Sequence, residues 1–373
     1  MREYLTVFLV AAVVTYLLGV VAREVALRTG AVAKVRDRDV HAVPIPYFGG
    51  VAMLGGLVAG YAIARRLPFL SRSDDNVFRD ASIVLIAGAL ICAIGILDDL
   101  VELDALTKFG GQVLAAGLMV VFGVQYYAFQ LPGRGQFLPD PTQAAIVSVV
   151  VVVATVNAVN FVDGLDGLAA GVVGIGAVAF FLFSYKLADA NGETLAITAA
   201  LLTAALGGAC AGFLPHNFFP ARMFMGDSGA MLIGLVLAGS ALTLTGQFAS
   251  VDMSQGAGGS QASLLPTLLP IILPVSILVV PFADLVLAVV RRTRAGRSPF
   301  APDKQHLHHR LLEIGHSHMR AVLIMWLWAG LIAFGGVLAS LYAGPVTTVI
   351  LVVWVVATVA MTFIVPRFHH TGQ

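Results

Sequence analysis

The sequence predicts an all-α, polytopic integral membrane protein with about 11 transmembrane helices, and three observations carry this prediction. Hydrophobic residues make up 58% of the 373-residue chain, and the mean hydropathy is +0.91. Charged residues make up 12%, against roughly 25% in an ordinary soluble domain. The apolar residues fall in runs long enough to cross the ~30 Å hydrocarbon core of a bilayer. Together with a net charge of +1, these features exclude a soluble enzyme, a disordered tail and a nucleic-acid-binding protein.

Eleven apolar runs, each bounded by charged residues, Pro or Gly, are the predicted membrane spans. They are Tyr4–Ala22, Tyr47–Ala64, Ala81–Leu97, Phe109–Gln125, Thr142–Val159, Leu168–Tyr185, Thr194–Leu214, Gly229–Gln247, Leu264–Val290, Ala321–Tyr342 and Pro345–Val365. The first run leads directly into Arg23 without a polar cleavage region, so we expect it to be retained rather than removed as a signal peptide. Residues 1–373 are predicted to form a single integral-membrane domain.

The distribution of Lys and Arg predicts the orientation of the spans. Connections after odd-numbered runs, with the C-terminal tail, hold 15 of the 22 Lys and Arg residues, and the opposite side holds 7. Since positively charged connections stay in the cytoplasm, we expect the N-terminus outside and the C-terminus inside. The cytoplasmic connections also carry nearly every unusual polar cluster, at residues 23–46, 98–108, 157–167, 215–228 and 291–320. They predict one functional site built from several loops.

Asp98 and Asp99 are adjacent acids at the end of the third run. Neighbouring carboxylates at the membrane edge repel each other and lose hydration, so they favour a bound cation or a nearby Lys such as Lys108. Paired acids also suit general-base catalysis, and a solvated helix end is the simpler alternative.

Four oxygen-bearing side chains recur at three-residue steps around the end of the fifth run: Asn157, Asn160, Asp163 and Asp166. The glycines among them, at 164 and 167, predict that the helix ends here. Amide and carboxylate oxygens suit Mg²⁺ or Mn²⁺ better than zinc, with water and a substrate phosphate completing the coordination. Hydrogen bonding of the Asn amides between helices is the alternative.

Asp227 lies in a Gly-Asp-Ser-Gly segment just before the eighth run. A carboxylate beside small residues at a helix N-terminus suits a metal–phosphate pair, and a simple N-cap is the alternative. A serine-protease nucleophile does not fit a segment that precedes a membrane span.

The longest hydrophilic connection carries His306, His308, His309 and Arg310, and it contains seven Lys and Arg residues between positions 291 and 320. We expect this loop to bind a diphosphate and a sugar. Zinc binding and attraction to anionic lipid are the alternatives.

Together these segments resemble the polyprenyl-phosphate N-acetylhexosamine-1-phosphate transferase superfamily, glycosyl transferase family 4. The resemblance runs from Arg36 to about Gly315 and rests on five motifs in the expected order. They are the Pro44/Pro46/Gly49/Gly50 turn, Gly95–Lys108, Asn157–Gly171, Met225–Gly229, and Ser298–Gly315 with its Asp-x-x-His-x-His-His core. The span number and orientation resemble the undecaprenyl- or decaprenyl-phosphate N-acetylglucosamine-1-phosphate transferase branch. The sister branch, phospho-N-acetylmuramoyl-pentapeptide transferase, is the alternative, although Leu307 interrupts its usual run of adjacent histidines.

This resemblance implies transfer of N-acetylglucosamine 1-phosphate from UDP-N-acetylglucosamine to a polyprenyl phosphate in the cell membrane, with release of UMP. It would be the first membrane step of a cell-envelope polysaccharide. Whether an aspartate or the lipid phosphate attacks first stays open, and a homodimer is also implied. A secondary transporter is the distant alternative, but its carboxylates would lie near the bilayer midplane.

The family's functional residues carry over onto the matching motifs. The implied metal is Mg²⁺, with Mn²⁺ as the alternative, held by Asp227 and Asn160. The implied catalytic residues are Asp98, Asp99, Asp227 and His308. The implied substrate-binding residues are Lys108, Asn157, Asp163, Asp166, His306, His309 and Arg310.

Overall fold

The computed structural model shows a helical protein with one short β-hairpin. It describes residues 1–32, 44–126, 129–131, 135–191, 194–245, 293–294, 316–342 and 344–363. In these ranges the helices are α1 (Arg2–Thr29), α2 (Gly49–Ala64), α3 (Asp75–Val101), α4 (Ala105–Val121), α5 (Pro141–Val162), α6 (Leu168–Asn191), α7 (Thr194–Asn217), α8 (Gly226–Thr245), α9 (His318–Leu341) and α10 (Pro345–Phe363). A 3₁₀ turn covers Leu70–Arg72, and strands β1 (Phe129–Leu131) and β2 (Gly135–Phe137) pair antiparallel.

The helices are those of a polytopic membrane protein. Among the described residues, eight helices are long and apolar enough to cross a membrane, while α2 and α4 are shorter apolar helices. Ten of the eleven predicted spans coincide with helices in these ranges. The ninth, Leu264–Val290, lies outside the described residues.

Helix α3, which carries two of the predicted site residues, differs from its predicted limits at both ends. Helix α3 continues past the predicted end at Leu97 to Val101, so Asp98 and Asp99 stand in its last turn rather than in a loop. Its N-terminus also lies earlier than predicted, because the Asp74 side chain caps it by accepting a hydrogen bond from Asn76 N–H. The connection between α4 and α5 contains the short hairpin, in which β2 pairs with β1.

Local capping fixes where α4 and α5 begin. The Asp104 carboxylate accepts hydrogen bonds from Leu106 N–H and Thr107 N–H at the start of α4. The Thr107 hydroxyl also donates to it, and this bond first, followed by the backbone bonds, lowers the pKa of Asp104. At the start of α5, Asp140 and Gln143 form a reciprocal capping box, with a proline in the first turn. The starts of α4 and α5 are therefore set by their own sequences.

Helix α8 lies at the centre of the bundle, packed against α2, α3, α5, α6 and α7. Small residues allow this close packing: a Cβ on Gly234 would lie 2.9 Å from Val156 Cα in α5, and one on Gly239 would lie 2.7 Å from a methyl carbon of Val84 in α3. By contrast, most of α10 is exposed and carries Val and Ile side chains, as expected of a surface in contact with lipid.

Candidate active site

The N-terminus of α8 is the point where the predicted motifs meet. Gly226 begins this helix with φ +71°, a left-handed conformation that favours glycine. The turn before α2 lies against it, since Gly49 and Gly50 donate backbone N–H groups to the carbonyls of Phe224 and Met225 at 3.3 and 3.2 Å. The predicted Pro44–Gly50 turn therefore forms part of the frame that holds Asp227.

Asp99 ties the end of α3 to the start of α8. Its two carboxylate oxygens accept hydrogen bonds from Asp227 N–H at 2.8 Å and Ser228 N–H at 3.3 Å. A carboxylate here satisfies N–H groups that have no partner within α8 and interacts favourably with the positive end of the helix dipole. Asp99 therefore acts as a cap for α8, and its two hydrogen bonds hold the backbone of Asp227 in position.

Lys108 bridges two carboxylates from different helices. Its Nζ lies 2.7 Å from Asp98 Oδ2 and 2.5 Å from Asp227 Oδ2. Asp98 is 8% exposed, and its second oxygen accepts a hydrogen bond from Leu103 N–H at 2.8 Å. The structure thus brings the ends of α3, α4 and α8 together through one cation and two anions.

The two predicted asparagines have different partners. Asn160 donates from Nδ2 to Asp227 Oδ1 at 2.9 Å, so it joins α5 to the charged cluster. Asn157 lies one turn earlier and pairs instead with Gln112 of α4, to which it donates at 2.6 Å. Asn160 is therefore at the predicted metal position, whereas Asn157 is in a layer below it.

Asp163 and Asp166 follow the end of α5. Burial, and then the negative charges of Asp227, Asp99 and Asp166, raise the pKa of Asp163 to about 8. Asp166 is buried and accepts a hydrogen bond from Ala221 N–H at 2.9 Å. Asp163 thus adds to a crowded group of acids, and Asp166 holds the segment that leads into α8.

Asn217 holds the same segment from the other side, and sequence reasoning did not assign it a role. Its side chain accepts a hydrogen bond from Gly167 N–H at 3.0 Å and donates to the Met223 carbonyl at 3.1 Å. Asn217 is 2% exposed. A buried amide needs hydrogen-bond partners, so an Asn at the end of an apolar run is the signal that could have identified it.

The remaining predicted site residues fall outside the described residues. They are His306, His308, His309 and Arg310. Their contribution stays a prediction.

The oxygen ligands at α8 fit a hard cation with few protein ligands. No group of three or more His, Cys, Asp or Glu side chains in the described ranges is arranged to hold a metal ion. Mg²⁺ does not need such a group, since it commonly takes one or two carboxylates and fills its other positions with water and substrate phosphates. Asp227 and Asn160 place a carboxylate and an amide next to each other. Asp98 lies nearby, because Lys108 contacts both Asp98 and Asp227.

Fold and site together define an integral membrane protein whose acids, amides and lysine are gathered at one end of a helical bundle. Residues 81–245 match glycosyl transferase family 4. The chain is 45% identical to a decaprenyl-phosphate N-acetylglucosaminephosphotransferase of Mycobacterium tuberculosis over 370 residues. This alignment covers 98% of this chain and 89% of the relative. It therefore belongs to glycosyl transferase family 4, in the branch of the polyprenyl-phosphate N-acetylglucosamine-1-phosphate transferases.

Two further relatives agree with this assignment. A decaprenyl-phosphate N-acetylglucosaminephosphotransferase of Mycolicibacterium smegmatis is 45% identical over 368 residues, covering 98% of this chain and 89% of the relative. An undecaprenyl-phosphate alpha-N-acetylglucosaminyl 1-phosphate transferase of Escherichia coli is 27% identical over 329 residues, covering 86% and 79%. The resemblance inferred from the sequence motifs is confirmed.

Proposed function

We propose that this protein transfers N-acetylglucosamine 1-phosphate from UDP-N-acetylglucosamine to a polyprenyl phosphate, giving polyprenyl-diphospho-N-acetylglucosamine and UMP. The observation that carries the proposal is the cluster of Asp98, Lys108, Asn160 and Asp227 at one end of the bundle. A site at a helix end is accessible both to a soluble nucleotide sugar and to a lipid phosphate in the membrane. The names of the relatives support the sugar and the class of acceptor.

The charges of the cluster support a divalent cation as cofactor. Lys108 neutralises only one of the carboxylates of Asp98 and Asp227, so this trio carries net negative charge. A diphosphate and a lipid phosphate would add more negative charge to the same place. We propose Mg²⁺, with Mn²⁺ as the alternative, held by Asp227 and Asn160. When bound, the ion supplies the positive charge that lets two anionic phosphates approach each other.

Lys108 is the residue proposed to bind phosphate. In the transfer, an oxygen of the lipid phosphate bonds to the phosphorus that carries the sugar, and the bond from this phosphorus to the bridging oxygen of UMP breaks. Much of the catalysis of such a step is positioning and neutralisation of charge. Asp98 holds Lys108 in place and is proposed to orient the acceptor and to take any proton it still carries. A phosphate monoester has a second pKa of about 6, so little deprotonation is needed at neutral pH.

The other site residues are proposed to hold the donor. Asp99 would act through the backbone of Asp227, which it caps, rather than as a base. Asp163 and Asp166 would order the nucleotide pocket, since Asp166 already fixes the segment before α8. The residues proposed for the diphosphate and the sugar are His306, His308, His309 and Arg310.

We also propose a topology of eleven spans in the plasma membrane, with the N-terminus outside, the C-terminus in the cytoplasm, and a homodimer as the assembled form. A fluorescent-protein fusion at the C-terminus is then expected to fluoresce, since that reporter folds only in the cytoplasm. Alkaline phosphatase inserted between β1 and β2 is expected to be active, since this enzyme needs the oxidising exterior. An active phosphatase at the C-terminus, with an inactive one in the hairpin, would reverse the topology.

Purified protein is expected to release UMP from UDP-N-acetylglucosamine when polyprenyl phosphate and Mg²⁺ are present. Chelation with EDTA should stop the release, and added Mg²⁺ should restore it. UDP-N-acetylmuramoyl-pentapeptide, assayed in parallel, is expected to give no UMP. Release from the pentapeptide donor alone would move the protein to the sister branch, and no release from either donor by folded protein would reject the proposed function.

A further inference from the structure

A second polar layer lies one helical turn below the charged cluster and joins three of the four helices that the cluster joins, α4, α5 and α8. Asn157 Nδ2 donates to Gln112 Oε1 at 2.6 Å, and Gln112 Nε2 lies 3.4 Å from Asn157 Oδ1. Gln112 Nε2 also reaches the sulfur of Met231 at 3.5 Å. The lower layer therefore connects α4, α5 and α8 through an amide pair and one thioether.

The spacing of the two layers shows that they share the same helix faces. Lys108 and Gln112 are four residues apart on α4, and Asn157 and Asn160 are three apart on α5. Asp227 of the upper layer and Met231 of the lower layer are four apart on α8. Positions three or four apart lie on one side of a helix, so each charged contact stands directly over an amide or thioether contact.

The amide pair is better suited than Lys108 to fix the distance between α4 and α5. Lysine carries its charge on a flexible stem with four rotatable carbons, so it can follow moving partners. Two planar amides that bond to each other require one separation and one orientation. Gln112 is 1% exposed, so the loss of its partner would leave a buried amide unsatisfied. Asn157 is also anchored to its own helix, because it donates to the Val153 carbonyl at 2.8 Å.

We propose that Gln112 and Asn157 are positioning residues that set the separation of α4 and α5 and thereby hold Lys108 and Asn160 at Asp227. This inference rests on the proposed function for its kinetic test. It gives Asn157 an indirect role, in place of contact with the nucleotide, and adds Gln112, a residue that the sequence motifs did not include.

Three variants separate positioning from folding. Gln112→Leu removes the partner that the Asn157 amide has in α4, and it is expected to lower both the melting temperature and kcat, the latter by about 10- to 100-fold. The double variant Gln112→Leu/Asn157→Leu replaces both partners by apolar groups, so the melting temperature should recover while kcat stays low. The exchange Gln112→Asn/Asn157→Gln restores an amide pair of the same total length and is expected to recover most of kcat.

A matched control is available in α5. Ser148 Oγ accepts a buried hydrogen bond from Tyr126 N–H at 2.9 Å, far along the helix from the charged cluster. Ser148→Ala is expected to lower the melting temperature and to leave kcat unchanged. It therefore measures what the loss of a buried hydrogen bond to α5 does without displacement of the site.

A second measurement does not depend on turnover. Labelling of the Lys108 ε-amine by an amine-acylating reagent, quantified by mass spectrometry, is expected to rise in Gln112→Leu and in the double leucine variant. Labelling should return to the wild-type rate in the exchange. If the wild-type protein uses neither donor, the proposed function fails, and the Lys108 labelling still decides the inference.

Two results would overturn the inference. The first is recovery of kcat with the melting temperature in the double leucine variant, accompanied by wild-type labelling of Lys108, which would make the pair purely structural. The second is a raised donor KM in the exchange variant without recovery of kcat, which would place Asn157 in contact with the nucleotide.

Discussion

Replacing Asp227 by asparagine is expected to lower kcat by at least about a hundredfold, the size of loss seen when one preorganised charge-stabilising group is removed. Asp227 is the residue on which the cluster converges, since Lys108 and Asn160 both bond to its side chain. Asparagine keeps the size of the side chain but removes the negative charge, so the proposed divalent cation would lose its principal ligand. We also expect the Mg²⁺ concentration for half-maximal activity to rise.

The fold should survive this substitution. Lys108 keeps its ion pair with Asp98, and Asp99 caps the backbone of residue 227 whatever side chain stands there. Asp140→Asn is the matched control, because it makes the same change at an N-cap of α5, where asparagine caps as well as aspartate. Full activity of Asp227→Asn at limiting Mg²⁺, with the control also active, would contradict the metal role of Asp227.

The sequence predicted which residues would converge, because the Lys and Arg pattern puts these helix ends on one predicted side of the membrane. Asp98, Lys108, Asn160 and Asp227 each stand at or within about a turn of a helix end, and the structure brings them together. The sequence could not show which partner each of the adjacent acids Asp98 and Asp99 contacts. Consecutive side chains on a helix point about 100° apart, so the rotation of α3 decides that Asp98 meets Lys108 while Asp99 meets α8.

The sequence offered hydrogen bonding of the Asn amides between helices as an alternative, but it did not identify Gln112 as the partner of Asn157. Three-residue spacing grouped Asn157 with Asn160, although only the upper of the two reaches Asp227. The partner of Asn157 comes from another helix, and a pairing between helices cannot be derived from the spacing within one of them. A signal was present nonetheless: Gln112 is an amide one turn after Lys108 in an otherwise apolar helix, where a polar side chain needs a partner.

A methyl group added at Gly95 is expected to destabilise the protein and to abolish activity together. Helix α3 passes the start of α8 so closely that a Cβ at Gly95 would lie 2.4 Å from Ser228 Cα and 2.5 Å from Ser228 N. These are backbone atoms, which cannot rotate away as a side chain would. Overpacking of this kind costs typically about 1–3 kcal/mol, and at a backbone contact we expect Gly95→Ala to reach the upper part of that range.

We expect activity to fall by more than the loss of stability alone would cause. The added methyl group would push α3 away from α8 and so strain the two hydrogen bonds that Asp99 accepts at the start of α8. Gly117→Ala is the matched control: apart from the helix's own backbone, no atom of the described residues lies within 4 Å of a Cβ there, so alanine should stabilise α4 by up to about 1 kcal/mol. Melting temperature and UMP release measured on both variants test the argument. If Gly95→Ala melts and turns over like the wild type, α3 and α8 do not make the close contact on which the placement of Asp227 depends.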